Sequence, residues 1–159
     1  MAVVSSIIRL TILRHGDAPF NHSSGERALS ELGRAQTEQV VRQRIEELST
    51  TSLIICSPSR RARETLAIAS KTLGYTGELL FDDCLRSESS ISAVGQRFNS
   101  IEADNVLLVS HQPLVGTMID YLTDQRGYGM AMGTSCLACL DLITFSRGCG
   151  TLNWLDSPS

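Results

Sequence analysis

Residues 10–21 read LTILRHGDAPFN, and their character changes abruptly in the middle of the stretch. The first four residues are apolar or β-branched, which is typical of a buried β-strand. Arg14 and His15 follow at once, and polar residues around Pro19 then end the apolar pattern. A guanidinium and an imidazole therefore stand where a buried strand is predicted to end.

Two other apolar runs end in the same way. Residues 53–56 are followed by SPSRRARET at 57–65, and residues 106–109 are followed by SHQP at 110–113. Helix-like spacing separates the runs, and this alternation predicts an α/β fold: a three-layer sandwich with a mainly parallel central sheet flanked by helices. Because parallel strands end at one edge of a sheet, we expect the polar residues after the three runs to lie together.

The predicted elements extend along most of the chain. Strands are expected at residues 7–13, 53–56, 78–81 and 105–110, with an antiparallel C-terminal hairpin at 134–145 and 150–156. Helices are expected at 29–48 with Ser30 as N-cap, at 58–73 with Ser57 as N-cap, at 90–101 and at 113–122. A chain of 159 residues fits a single domain over residues 1–159.

Composition and charge exclude several classes of partner. The formal net charge is −3 and no basic tract is present, so we expect no nucleic-acid partner. The longest apolar stretches fall well short of the roughly 20 residues that a membrane helix needs. No basic segment precedes the apolar start of the chain, as it would in a signal peptide. Neither a membrane partner nor export is expected.

The cysteines indicate a reducing environment. There are five, an odd number, and without an export signal this favours free thiols and a cytoplasmic location. Cys136 and Cys139 match C-x-x-C but lie in a predicted strand, where residues three apart point to opposite faces. No second ligand pair completes a zinc site. We interpret both as small buried side chains and predict no metal site.

The residue types at the strand ends suit a phosphate. A guanidinium group can grip two oxygens of such a dianion at once, and imidazoles can bind or attack it. An imidazole that nearby arginines keep neutral is a competent nucleophile near pH 7. Phosphoryl transfer needs little beyond in-line positioning and charge stabilisation. The sequence therefore predicts a phosphate-handling site without metal or other cofactor.

Four ordered motifs carry a family resemblance. The segments LRHGDAPFN, LSELGRAQ, SPSRRARETL and VSHQPLVGTMI, spread over residues 7–122, resemble motifs of the histidine phosphatase superfamily, which includes the phosphoglycerate mutases. The resemblance implies that His15 is the phosphorylated nucleophile and that Arg14 binds phosphate. It implies Arg61, in the S-P-x-x-R-A-x-x-T pattern, as a second phosphate ligand and His111 as the other histidine of the pocket.

Within the superfamily the chain is most similar to SixA-type phosphohistidine phosphatases. The similarity is carried by RHGDA at 14–18, VSHQPLVG at 109–116 and the late TLNWLDSP. Residues 82–104 leave little room for the large cap insertion that covers the pocket in mutase-like relatives. The resemblance implies a histidine-phosphorylated protein partner, such as a phosphotransfer domain of a signalling relay.

The general acid departs from the family pattern. Many relatives have L-R-E, but here Arg86 is followed by Ser87, and Glu88 comes one position late. Either Glu88 reaches the site through a loop shift or the site lacks this acid; Asp17 is another candidate, with turn hydrogen bonding as its alternative role. An alkoxide leaving group needs an acid more than the imidazole of phosphohistidine does. The departure therefore favours P–N over P–O hydrolysis.

Two further residues are candidates for substrate binding. Asn21, six residues after His15, matches the asparagine of R-H-G-x-x-x-x-N in mutase-like relatives and either donates to phosphate or caps a turn. The backbone N–H of Gln112 precedes a predicted helix start and is a candidate anion donor.

The sequence as a whole predicts a metal-independent phosphohistidine phosphatase that works through a phosphorylated His15. A small-molecule phosphomonoesterase of the same superfamily is the alternative if Glu88 or Asp17 acts as an acid. A non-catalytic phosphate-binding module is a third hypothesis, but loss of His15 or Arg61 would be its signature, and both residues are present. The oligomeric state stays open, and a monomer is compatible with the sequence.

Overall fold

The computed structural model describes residues 6–20, 26–127 and 129–159. Within them, six strands form one sheet: β1 Ile8–Arg14, β2 Leu53–Cys56, β3 Glu78–Phe81, β4 Asn105–Ser110, β5 Leu137–Leu142 and β6 Gly150–Asp156. The order across the sheet is β3-β2-β4-β1-β5-β6. Strands β1 to β4 are parallel, and β5 runs antiparallel to both β1 and β6. The predicted mainly parallel α/β sheet with an antiparallel C-terminal hairpin is confirmed.

The described helices are α1 Glu31–Gln43, α2 Ile45–Leu48, α3 Arg60–Leu73, α4 Ile91–Phe98 and α5 Leu114–Thr123, with short 3-10 helices at Asp83–Leu85 and Gly129–Ala131. The helix predicted over residues 29–48 breaks at Arg44, whose backbone leaves helical geometry. The Arg44 guanidinium there binds both carboxylate oxygens of Asp156 and lies 4.0 Å from the centre of the Trp154 ring. A contact between residues 112 positions apart thus ends a helix that periodicity alone would continue.

The helices cover both faces of the sheet. Strand residues alternate between two apolar clusters, so that Leu10 and Ile12 pack with α4 and α5 while Leu13 packs with α1, α2 and α3. A parallel sheet covered on both faces buries continuous apolar runs, which explains why β2 and β4 consist almost entirely of aliphatic residues. This layering leaves the carboxyl edge, where β1 to β4 end, as the place at which polar side chains collect.

The start of α1 is clamped to the loop that follows β1. Ser30 caps α1 as predicted, because its Oγ accepts from the N–H of Gly33, and its own N–H donates to the carbonyl oxygen of Asp17. A Cβ at Gly33 would lie only 2.4 Å from that carbonyl oxygen, so a larger residue could not make this approach. The clamp holds the segment immediately after His15 in place.

Candidate active site

His15 and His111 leave neighbouring strands at the carboxyl edge. Arg14 at the end of β1 lies opposite Ser110 at the end of β4, and the N–H of His15 donates to the Ser110 carbonyl oxygen at 3.0 Å. The two imidazole ring centres are 5.1 Å apart, and the residues His15 and His111 are 5% and 1% exposed. The structure thus brings together the two histidines that the sequence placed after separate strands.

The His15 ring is held in one tautomer. Its Nδ1 lies 2.8 Å from the carbonyl oxygen of Gly16, which can only accept, so Nδ1 carries the proton and Nε2 keeps its lone pair. Arg61 Nε faces that lone pair at 3.4 Å. Burial, opposed by the Gly16 hydrogen bond and reinforced by the charges of Arg61 and Arg14, lowers the pKa of His15 to about 4. At neutral pH the ring is therefore uncharged.

His111 is oriented by two serine hydroxyls. Its Nε2 lies 2.7 Å from Ser57 Oγ and 3.2 Å from Ser59 Oγ. Because the N–H of Ser59 donates to Ser57 Oγ, the Ser57 hydroxyl can donate its own proton to Nε2. Nδ1 then carries the ring proton, and it is buried without a partner among the described residues. This leaves one N–H available for a phosphoryl oxygen, while burial, followed by the charge of Arg61, lowers the pKa of His111 to about 3.

Ser57 has a different role from the one that the sequence predicts. Ser57 was predicted to cap a helix starting at Pro58, but α3 begins at Arg60 with Ser59 as its N-cap, and Ser59 makes no side-chain capping bond. That prediction is wrong because both hydroxyls are directed to His111 instead. Ser57 belongs to the S-P-x-x-R-A-x-x-T pattern, which could have marked it, whereas no sequence signal marks Ser59.

Arginines supply the positive charge of the site. Arg14 donates from Nη1 to the Met132 carbonyl oxygen at 3.0 Å, and its Nε is buried with no partner in the described part of the chain. Arg61 lies on the first turn of α3, and burial lowers the pKa of both guanidiniums. Arg27, which sequence reasoning missed and no motif marks, donates to the Ala18 carbonyl oxygen, and its charge also lowers the pKa of both histidines.

Thr65 connects the loop after His15 to helix α3, which carries Arg61. Its buried Oγ1 accepts from the N–H of Gly16 at 2.9 Å and donates to the carbonyl oxygen of Arg61 at 2.7 Å. One hydroxyl thus links the residue after His15 to the residue that faces His15 Nε2. Thr65 is the threonine of the S-P-x-x-R-A-x-x-T motif, but its role as this link could not be predicted from the sequence.

Neither candidate acid is arranged as a proton donor. Glu88 is exposed, and hydrogen bonds from its own backbone N–H and from Ser87 lower its pKa, so it stays a carboxylate at neutral pH. Asp17 accepts a 2.6 Å hydrogen bond from the Ser30 hydroxyl in the clamp at the start of α1. This hydrogen bond agrees with turn hydrogen bonding, the alternative role that the sequence suggested for Asp17.

The two candidate substrate-binding residues have different outcomes. Asn21 lies outside the described residues, so its predicted contact stays a prediction. The Gln112 side chain makes contacts that the sequence did not predict. Its Nε2 donates to the carbonyl oxygens of Gly129 and Met132, and its Oε1 accepts from the N–H of Gly116. The anion contact predicted for its backbone N–H is not tested.

Other features concern metals and membranes. Among residues 6–20, 26–127 and 129–159, no group of three or more histidine, cysteine or acidic side chains is placed to share a metal ion. All five cysteines are free thiols, and Cys136 and Cys139 are buried as interpreted from the sequence. No helix in the described part of the chain is long and apolar enough to cross a membrane.

The arrangement of these side chains indicates the kind of chemistry that the site can perform. An uncharged imidazole with an unprotonated Nε2, a second buried imidazole whose Nδ1 has no partner among the described residues, and two guanidiniums lie together at the carboxyl edge of a parallel sheet. Such a site can bind a tetrahedral oxyanion and can transfer a phosphoryl group to nitrogen.

Comparison with known proteins assigns the family. Residues 10–89 match the model of the histidine phosphatase superfamily (branch 1), and the chain belongs to that superfamily. The matched range contains Arg14, His15 and Arg61, whereas His111 lies beyond it and joins the site through the fold. No curated protein gives a significant sequence match.

Several solved structures share the fold. The protein histidine phosphatase SixA complexed with tungstate is 26% identical, with a TM-score of 0.83 over 95% of this chain and 97% of that one. A SixA structure from Nakamurella multipartitia is 19% identical, with a TM-score of 0.80 over 96% and 97%. A mycobacterial glucosyl-3-phosphoglycerate phosphatase is 20% identical, with a TM-score of 0.67 over 96% and 100%.

Proposed function

We propose that the protein hydrolyses phosphohistidine on a partner protein, through a phosphorylated His15 and without a metal. Nε2 of His15 attacks phosphorus while the P–N bond to the partner's imidazole breaks, and that imidazole leaves with a proton taken from water. Water then attacks the phosphorus of phospho-His15 and releases inorganic phosphate. Arg14, Arg61 and His111 Nδ1–H stabilise the charge on the phosphoryl oxygens in both steps.

The observation that carries this proposal is a well-arranged His15 beside two candidate acids, neither of which, in the described part of the chain, is arranged as a proton donor. Glu88 is an exposed carboxylate with a lowered pKa, and Asp17 accepts a hydrogen bond from Ser30. An alkoxide is a poor leaving group unless an acid protonates it, whereas an imidazole leaves readily. A site with these residues is therefore better suited to P–N than to P–O cleavage.

A protein substrate is supported by the shape of the fold. Between β3 and β4 the chain forms only the short 3-10 helix and the eight-residue α4, so no inserted domain in this segment covers the carboxyl edge. The likeness to SixA structures supports the same substrate class. The five free cysteines support a cytoplasmic location, where such signalling partners are found.

The test compares two leaving groups with one enzyme. Phosphate release is measured without added metal from a histidine-phosphorylated phosphotransfer domain and from a panel of alkyl phosphomonoesters, with His15→Asn as the inactive control. We expect kcat/KM for the phosphoprotein to be greater by roughly a hundredfold or more, since only the esters need an acid. A preference for an alkyl ester would instead make the protein a small-molecule phosphomonoesterase, and phosphate binding without release from any substrate would make it a binding module.

A further inference from the structure

The carbonyl oxygen of Met132 accepts two hydrogen bonds. The donors are Arg14, at the end of β1, and Gln112, two residues after the end of β4. Arg14 Nη1 donates to it at 3.0 Å, and Gln112 Nε2 donates to it at 3.1 Å. Met132 is buried, so water does not readily replace either donor. The position of this carbonyl therefore affects the orientation of the Arg14 guanidinium.

Gln112 uses its whole side-chain amide to hold the segment that contains this carbonyl. Its second amide N–H donates to the Gly129 carbonyl oxygen at 2.7 Å, and its Oε1 accepts from the N–H of Gly116 on α5 at 2.8 Å. The backbones of Gly116 and Gly129 approach closely, since a Cβ at Gly129 would lie 2.2 Å from the Gly116 oxygen. The amide thus connects α5 to residues 129–132 at the point of closest contact.

The orientation of the Arg14 guanidinium depends on the Met132 carbonyl that Gln112 holds. The described residues give its guanidinium one hydrogen-bond acceptor, Met132, while its Nε is buried without a partner. A guanidinium fixed at Nη1 with a free Nε can direct its remaining N–H groups to an oxyanion. If the Met132 carbonyl moved, the same guanidinium would have to be ordered again each time an anion bound.

We propose that Gln112 is a positioning residue for phosphoryl binding: its side-chain amide fixes the Met132 carbonyl, and through it the Arg14 guanidinium. This inference rests on the proposed function only in that the site binds a phosphoryl-type oxyanion, and it does not depend on phosphohistidine as the substrate. It adds a role for the Gln112 side chain, and the anion contact predicted for the Gln112 backbone N–H stays a prediction.

A double-mutant cycle tests the proposal with tungstate, a tetrahedral oxyanion, as the probe in calorimetric titrations. Gln112→Met keeps the length of the side chain and removes its hydrogen bonds. We expect this change to weaken tungstate binding about fivefold to tenfold in the otherwise unchanged protein and in an Arg61→Ala background. In an Arg14→Ala background we expect less than about a twofold loss, because the group through which Gln112 acts is gone.

Two controls separate positioning from general loosening of the fold. Asp120→Ala removes hydrogen bonds to the N–H groups of Gly127 and Gly129 in the same segment without touching the Met132 carbonyl, and it should leave tungstate affinity within about twofold. Gln112→Asn, which keeps the amide on a shorter side chain, serves if Gln112→Met does not fold. It should show a smaller loss with the same dependence on Arg14.

The kinetic readout has a distinct expectation. On whichever phosphorylated substrate is turned over, Gln112→Met should lower kcat/KM by at least the factor by which it weakens tungstate binding, with part of the loss in kcat, because the Arg14 guanidinium contacts the phosphoryl oxygens in the bound substrate and in both chemical steps. An equal loss of tungstate affinity with and without Arg14, or no loss at all, would overturn the proposal. Failure of phosphohistidine turnover alone would not, because tungstate binding is measured independently of it.

Discussion

The Nδ1 atom of His15 donates to the carbonyl oxygen of Gly16 at 2.8 Å, so the ring presents its unprotonated Nε2 to the site. Arg61 Nε, which faces Nε2 at 3.4 Å, is the group that an incoming phosphoryl oxygen would engage. We therefore expect the covalent intermediate to carry phosphorus on Nε2 and not on Nδ1. Quenching turnover in alkali, digesting the protein and separating the two phosphohistidine isomers identifies the bonded nitrogen.

Histidine variants are the controls for this label. His15→Ala should abolish both the label and turnover, because Nε2 of His111, the other imidazole of the described site, is engaged by the hydroxyls of Ser57 and Ser59. His111→Ala should still be labelled, but its turnover should be slower, since only charge stabilisation is lost. Label on Nδ1, or on any residue in His15→Ala, would show that the attacking nitrogen is assigned wrongly.

Thr65 offers a test of how tightly the nucleophile must be held. Thr65→Val removes the acceptor of the Gly16 N–H and leaves that group buried and unpaired. We expect the free energy of unfolding to fall by about 1–2 kcal/mol. We expect kcat to fall by roughly tenfold to a hundredfold, because the segment next to His15 is displaced relative to Arg61.

Thr72→Val is the matched control on the same helix. Thr72 Oγ1 donates to the carbonyl oxygen of Ile68 four residues earlier, as Thr65 Oγ1 does to Arg61, but among the described residues no loop N–H donates to it. Its substitution should leave kcat within about twofold. Equal kinetic losses in the two variants would mean that the hydroxyl acts on α3 alone and not on the loop after His15.

Ser87 stands at the position where the L-R-E pattern of many relatives has its glutamate. Introducing that acid with Ser87→Glu should raise kcat/KM for an alkyl ester such as glycerol phosphate by at least roughly tenfold, because the alkoxide then receives a proton as it leaves. An aryl ester, whose phenolate leaves without protonation, should change little. Comparing the two esters isolates acid catalysis from binding.

The control for this variant is the neighbouring acid. Glu88→Gln should leave both ester activities and phosphohistidine hydrolysis within about twofold, because the Glu88 carboxylate is exposed and already ionised. A large loss of ester hydrolysis in Glu88→Gln would make Glu88 the acid after all and would favour the small-molecule alternative.

Much of the site followed from the ends of the apolar runs. Parallel strands end at one edge of a sheet, so the residues directly after β1 and β4 were expected at that edge, and the pairing of β1 with β4 makes His15 and His111 neighbours. Arg61 was reached only through the motif, since helical periodicity does not say which of three nearby arginines faces the pocket. Its neighbours Arg60 and Arg63 form exposed ion pairs with Glu64 and Glu26 instead.

The remaining features depend on contacts between distant segments. The break at Arg44 is set by Asp156, and the orientation of His111 is set by serines more than 50 residues earlier in the chain. The side-chain role of Gln112 depends on where residues 129–132 lie. Local propensity carries no information on such pairs, and a serine before a proline is as compatible with a helix cap as with a hydrogen bond to an imidazole.

Proton uptake by the two buried histidines makes stability depend on pH. The folded state lowers the pKa values of His15 and His111 to about 4 and about 3, mainly through burial, whereas an unfolded chain titrates its histidines near roughly 6.5. Below that value the unfolded state binds more protons than the folded state. The stability contributed by the neutral rings is therefore fully present above about pH 6.5 and is lost as the pH falls through about 4 for His15 and about 3 for His111.

His15→Asn removes one of these groups without adding a charge. Urea unfolding between pH 7.5 and 4.5 should give a slope of unfolding free energy against pH that is smaller than in the unchanged protein by up to about 1.4 kcal/mol per pH unit, the value for one proton. Thr65→Val, which lowers stability without removing a titrating group, should keep the original slope. If His15→Asn also kept it, His15 would titrate with the same pKa in the folded and unfolded states, and the lowering of its pKa by burial would be wrong.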